Sequence, residues 1–173
     1  MKQFAFILFL GISMYSCKED IVVDGMKPIY ALYDDFSTLK SESALPFGTL
    51  GKIVTVGQYI FINELYKGIH VIDNTDPIHP VNKYFWKIAG NREFTILNNV
   101  LYADNGKHLL VIDISDYSNI ALLDVLKDQY VPDNDSEAYP ANYVGLFECY
   151  DSTLGILIGW EEGKIINPKC NIN

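Results

Sequence analysis

The chain has 173 residues, of which 49% are hydrophobic and 20% charged. That is enough apolar mass for one packed domain and too much for wholesale disorder. Thirteen Lys and Arg stand against 22 Asp and Glu, a net charge of −9. A nucleic-acid binder carries a basic footprint, so that class of partner is excluded.

The chain opens with Met1-Lys2-Gln3 and an apolar run from Phe4 to Ile12. One positive charge ahead of a run too short to span a bilayer has the form of a secretory signal, not of a transmembrane helix. The run ends Ser13-Met14-Tyr15-Ser16-Cys17. Small Ser16 directly before Cys17 resembles the bacterial lipobox, although Met14 and Tyr15 depart from its usual residues. The resemblance implies that residues 1–16 are removed and that Cys17 is lipidated. Acyl chains then hold the protein at a membrane, at about 0.8 kcal/mol per buried CH₂. Lys18-Glu19-Asp20 resembles the export signal of surface lipoproteins in one Gram-negative phylum, and is equally readable as a plain solvated tether over 17–27. Cleavage removes Lys2 and no acid, so the mature chain is more acidic still and anionic head groups repel it. The expected address is the cell envelope, at the outer membrane, with either periplasmic or surface display.

Residues 28–173 read as one β-domain with an internal repeat. At an offset of 40, residues 55–81 match 95–121 without gaps. Thr55/Thr95, Lys67/Lys107, Val71/Val111, Ile72/Ile112, Asp73/Asp113 and Asp76/Asp116 are identical, and Phe61/Leu101 and Glu64/Asp104 are close. The runs are short, β-branched and bounded by polar turns, which is strand behaviour. Asp76-Pro77 and His79-Pro80 forbid a helix, and Asn105-Gly106 is a hairpin turn signal. Strands are expected near 52–56, 59–63, 69–73 and 81–87 in a unit over 51–90. They are expected near 93–97, 100–103, 109–113 and 120–125 in a unit over 91–131. Their nearly continuous apolar character predicts cover on both faces. Four short strands per unit describe an antiparallel propeller-like blade.

Ile69-His70-Val71-Ile72-Asp73 and Leu109-Leu110-Val111-Ile112-Asp113 resemble LVIVD repeats, a propeller-like family common in lipoproteins. Asn74-Thr75-Asp76-Pro77 and Ile114-Ser115-Asp116 resemble that family's turn, with Tyr117 in place of proline. Phe147-Glu148-Cys149, Gly159-Trp160-Glu161 and Asn167-Pro168-Lys169-Cys170 also look like parts of those lipoproteins. The resemblance implies a β-propeller-like fold and no catalytic residue or cofactor. A closed ring needs at least four blades, and only two units are clear. Residues 28–45 and 141–166 either complete one another as a further sheet or leave an incomplete, open ring. Open edges would invite a homodimer.

Two cysteines remain beyond Cys17. In an oxidising envelope Cys149 and Cys170 invite a disulfide worth roughly 3 kcal/mol; two buried thiols are the alternative. Asp73, Asp76, Asp113 and Asp116 recur after strands, where an Asp caps backbone N–H groups in a turn; calcium binding is the sharper and less favoured reading. Pro132 to Glu137 lacks the glycine and terminal glutamate of a calcium loop and reads as a linker. His70 and His108 lie in or beside equivalent strands, and with His79 they suit packing and turns better than a metal site. Tyr84-Phe85-Trp86 and Trp160 are core aromatics or, if exposed, a contact surface. Asp151-Ser152-Thr153 resembles an O-glycosylation acceptor. G-x-S-x-G, H-E-x-x-H, phosphate-loop and G-x-G-x-x-G patterns are absent.

The expected function is a non-catalytic binding or scaffolding role for a protein or glycan. The alternatives are a polymer-degrading hydrolase or lyase using acids such as Glu64, Asp104 or Glu148, or a truncated remnant. Exposed apolar strand edges at 28–36 and 153–158 would mark the remnant.

Overall fold

The apolar runs become strands because their residues are β-branched or aromatic and their faces find cover. A computed structural model describes residues 19–130 and 138–172, and within them the fold is all-β, built from three mainly antiparallel sheets, none closed into a barrel. Among the described residues no helix is long and apolar enough to cross a membrane.

The first meander joins β3 (Leu50–Val56), β4 (Tyr59–Glu64), β5 (Gly68–Asp73) and β6 (Val81–Lys87), with β2 (Lys40–Ser43) added outside β6. The second joins β7 (Phe94–Leu97), β8 (Val100–Asn105), β9 (His108–Asp113) and β10 (Ala121–Leu126). One core unites them: Phe61, Ile69, Val71 and Trp86 from the first pack with Leu101, Leu110 and Ile112 from the second. Tyr117 wedges between them. Its ring meets Tyr59, Phe61 and Trp86 edge-on at 4.7, 5.6 and 5.7 Å, and its carbonyl accepts from Trp86 Nε1–H at 2.9 Å and Ser41 Oγ–H at 2.8 Å.

The two meanders bury opposite faces. Val54, Phe61, Val71 and Tyr84 form one cross-strand row in the first. The row in the same structural place in the second is Thr95, Tyr102, Val111 and Asp124. Counted from the preceding turn, Gly57-Gln58 or Asn98-Asn99, it is Tyr102 and not Leu101 that stands where Phe61 stands. A one-residue shift reverses the face of a strand, so Phe61 and Leu101, matched in the sequence, face each other across the interface. The shift is absorbed at the next hairpin, which has three loop residues, Leu65 to Lys67, in the first meander and two, Gly106-Lys107, in the second. Asn105 therefore ends β8 instead of opening the turn: it is buried, and its Nδ2 donates to the Ala89 carbonyl. Both turn residues Asn98 and Asn99 have positive φ, as a type I′ hairpin demands. The expected cover on both faces thus holds for β5, buried throughout its length up to Asp73, and fails for β9, where Leu109 and Val111 are partly exposed. Beside them Leu97 and Leu126 are 60% and 40% exposed.

The third sheet is made by the two ends of the chain. Its order is β12 (Ile156–Ile166), β1 (Val22–Ala31), β11 (Gly145–Phe147) and β13 (Cys170–Ile172). β1 and β12 pair antiparallel from Val22↔Ile166 to Ala31↔Ile156, whereas β1 meets β11 in parallel at Met26↔Phe147. Residues 22–27, expected as tether, are the first half of β1. Gly25 lies so close to β11 and β12 that any Cβ would collide with the Leu146 carbonyl and the Ile165 side chain. The expected partial sheet at 28–45 divides: 28–31 join the end sheet, while β2 extends the first meander. β1 is paired on both sides and Ile156 and Leu157 are buried, although Leu32 and Leu154 nearby are exposed. Cys149 and Cys170 form a disulfide with Cα atoms 5.3 Å apart, tying β13 to the end of β11.

Three substitutions test this packing and its disulfide. Trp86→Ala, in the buried face, costs about 3–5 kcal/mol in thermal or denaturant unfolding. Leu126→Ala, its counterpart on the open face, costs less than about 1 kcal/mol; equal costs would mean that the open face is covered in solution. Cys149→Ser lowers stability by about 3 kcal/mol, the loop-closure value for a bridge of this span.

Candidate functional site

The end sheet lies across the hairpin ends of the meanders and leaves a cleft of about 840 Å³. One wall is Met26, Ile29, Ile158 and Trp160; the other is Thr49, Glu64, the loop residues Leu65 to Lys67, and Arg92. Tyr139, Pro140 and Ala141 close a third side.

The meander wall is held by two acids that the sequence repeat aligns and that the backbone sets one residue apart. Glu64 ends β4. Its carboxylate accepts from Gly48 N and Thr49 N, both at 2.9 Å, and from His70 Nε2 at 3.2 Å, with Lys67 Nζ at 3.6 Å. Burial pushes its carboxyl upward, but the two backbone amides, His70 and Lys67 together hold it below the ordinary glutamate range. Asp104, near the end of β8, accepts from Asn91 Nδ2, Arg92 N and Glu93 N at 2.8, 2.7 and 3.0 Å. Burial dominates there and raises its carboxyl above the usual aspartate range despite those three donors. Each acid therefore fixes the backbone just ahead of a meander's first strand. Asn63 links the two through Asn91, Nδ2 to Oδ1 at 2.6 Å.

This network positions the cations of the cleft. Tyr66 sits in the left-handed region at φ 69°, costly for a residue with a side chain. It is clamped by Tyr66 N–H to the Asn91 carbonyl and Gly90 N–H to the Tyr66 carbonyl, both 2.8 Å. The Arg92 guanidinium lies 5.9 Å from the Tyr66 ring centre, within cation–π range. Across the cleft Trp160 packs edge-on to Phe147 at 5.5 Å. Its indole Nε1–H is shielded from solvent without an acceptor among the described residues.

Of the three acids considered for hydrolysis, Glu64 lines the cleft and is consumed by its donors. Asp104 is pinned behind the wall, and exposed Glu148 borders a separate hollow beside Cys149 and Lys169. The histidines part company. His70 is buried against Phe47, Phe85 and Glu64. His108 is buried beside Tyr33 and Phe36 and accepts from Asp128 N at 3.1 Å, and its imidazole is kept neutral first by burial and then by Lys107. His79 is exposed and pairs with Asp76 at 2.9 Å. Among the described residues no group of three or more His, Cys, Asp or Glu is arranged to hold a metal.

The recurring aspartates are turn acceptors. Asp73, Asp76, Asp113 and Asp116 accept the backbone N–H of Thr75, Ile78, Ser115 and Ser118 at 2.8–3.0 Å. Asp151 does the same for Thr153, and takes its hydroxyl at 2.7 Å; the Asp-x-Thr triplet there repeats the turn of the meanders. Phe85 and Trp86 are buried on opposite faces of β6, and Tyr84 is partly buried. Cys17 and the linker 132–137 lie outside the described residues. Arg92, Tyr66 and Asn91 had no motif to mark them; the one available sign was that Arg92 is the single arginine of the chain. No family model, curated protein or solved structure matches the chain.

The paired acids have opposite pH signatures. Glu64, with its folded pKa lowered, stabilises above the unfolded pKa near 4.3, and that contribution fades as pH falls through the folded value. Glu64→Gln costs about 1–3 kcal/mol at pH 7, and the deficit shrinks below about pH 4. Asp104, with its folded pKa raised, loses stability as pH rises through that value. Asp104→Asn keeps one acceptor oxygen, so its stability relative to the parent improves between pH 3 and pH 7. Urea unfolding across that range checks both signs.

Proposed function

We propose that the chain is a lipid-anchored envelope protein whose β-domain, built on LVIVD-like propeller-type repeats, binds a ligand without chemical turnover. The cleft between the end sheet and the meanders is the binding site. The observation that carries this reading is the fate of the cleft's acid. A general acid or base must exchange its proton with substrate, and Glu64 is committed to two backbone amides and His70. Glycoside hydrolysis requires two carboxyl groups about 5–9.5 Å apart in one cleft, and among the described residues the lining contains one. Aromatic and apolar walls with a few convergent polar groups suit binding. The repeat reading is supported by the two meanders of equal strand order and by the matched duties of Glu64 and Asp104.

The anchor reading rests on the apolar run ending at Cys17. Expressed in a Gram-negative host, the protein is expected in the membrane fraction, with labelled fatty acid on its N-terminal cysteine. Cys17→Ser should release it and abolish labelling. An unlabelled, soluble parent protein would refute the anchor.

A further inference from the structure

We infer that the end of the third sheet at which β1 begins is a membrane-contact rim, lying on the head groups of a zwitterionic bilayer through Ile21, Val22, Val144 and Ile166. This inference rests on the lipid anchor proposed above and adds which surface of the domain meets the membrane.

The short tether is the first ground. Asp20 and Ile21, ahead of β1, are already fastened to Asn167 in the turn after β12. Ile21 N–H donates to Asn167 Oδ1 at 2.9 Å, Asn167 N–H donates to the Ile21 carbonyl at 2.8 Å, and Asn167 Nδ2 donates to Asp20 Oδ1 at 2.7 Å. Asn167 holds φ 48°, a region that Asn enters more readily than most residues. Three residue steps separate Cys17 from Asp20. A fully extended chain covers at most about 3.6 Å per step, so an acylated Cys17 keeps Asp20 within about 11 Å of itself. Its acyl chains lie in the hydrocarbon, beneath a head-group layer about 5–8 Å thick. The end of the sheet beside Asp20 is therefore held against the head groups, and its contact with them is intramolecular once the lipid is inserted.

The side chains gathered at that end are the second ground. Val22 pairs with Ile166. β11 runs parallel to β1 with Met26 opposite Phe147, which brings Val144 level with Val23. Ile21, Val22, Val144 and Ile166 are each more than half exposed. Three chain segments thus bring four large aliphatic groups into water at one end of one sheet. Moving them into an interfacial layer is favourable in proportion to the apolar area removed from water. Charge decides the kind of bilayer. The charged groups placed near this end are Glu19, Asp20, the Asp24–Lys164 pair at 2.7 Å, and Glu148 and Lys169 around the hollow behind Ile166. Even with Lys18 of the tether the sum is acidic, so anionic lipid repels the rim and zwitterionic lipid does not.

Fluorescence quenching on the acylated full chain tests this. The chain is purified from a Gram-negative host, its fatty-acid label is checked, and it is placed in phosphatidylcholine vesicles whose acyl chains carry a nitroxide near the head group. Val144→Cys and Ile166→Cys, each bearing an environment-sensitive fluorophore, should shift to shorter wavelength and lose most of their emission to the nitroxide. Leu154 is also aliphatic and exposed but stands at the far end of the β1–β12 ladder, about 30 Å away. A fluorophore on Leu154→Cys should keep its emission. Replacing part of the phosphatidylcholine with phosphatidylglycerol should reduce the quenching at Ile166→Cys. Ile21→Asp combined with Val144→Asp, both outside the strands, should abolish that quenching while the fatty-acid label, vesicle flotation and thermal unfolding stay as in the parent. A labelled chain without quenching at Val144→Cys and Ile166→Cys, or with equal quenching at Leu154→Cys, overturns the rim and leaves the anchor standing. Energy transfer between fluorophores on two copies, without quenching by lipid, assigns the rim to a second copy and also overturns it. A chain without fatty acid overturns the anchor and the rim together.

Discussion

The pairing of the chain's two ends is the constraint on which the rest depends. β1 and β12 are joined over ten residue pairs across more than a hundred intervening residues. Closing such a loop costs entropy that grows only slowly with length, and a ten-residue ladder with Ile156 and Ile165 buried beneath it offsets that cost. Everything at that end follows from the ladder: β11 attaches to β1 and β13 to β11, the disulfide locks β13 to β11, and the face of the sheet becomes one wall of the cleft. Contacts so distant in sequence place this protein among slow-folding topologies.

The second structural element is the stack of two meanders. Their interface is apolar and sealed by Tyr117, which replaces the proline of the first repeat's turn. In the first repeat the same position is Pro77, on the surface. The substitution turns an exposed turn into a plug that touches three rings and gives Trp86 its hydrogen-bond acceptor. A departure from the repeat is thus where the two copies become different parts of one core. The same asymmetry leaves one face of β7–β10 open while its counterpart carries Phe61, Val71 and Trp86 into the core.

Much of this was legible in the sequence, and the remainder was hidden for identifiable reasons. The eight strands of the meanders match expectation within about two residues, because their hydrophobic runs and polar turns agree with the strand period. The turn aspartates were legible because an Asp that recurs after equivalent strands has one common use, capping backbone N–H groups in the turn. β1 was obscured by Asp24, Gly25 and Pro28, residues that discourage strands and are tolerated here by close packing and pairing on both sides. β2, Lys-Ser-Glu-Ser, has no apolar residue and is held through its ladder to β6. The cleft was illegible because Met26, Glu64, Arg92, Tyr139 and Trp160 converge only after the ends pair. The one-residue register change between the meanders was equally hidden, since an ungapped alignment places Phe61 on Leu101 and the backbone places it on Tyr102.

The cleft joins these strands of argument: two structural acids fix its meander wall, the end sheet supplies the other, and the cations stand between. Its existence therefore rests on β1 being a strand. Hydrogen exchange read by mass spectrometry tests this most directly. Amides of residues 22–31 and 156–166 should exchange together and as slowly as those of β5 and β9, reporting global opening. Exchange of residues 22–31 at the rate of an unprotected tether, with β5 and β9 still protected, would contradict the account and remove the cleft with it.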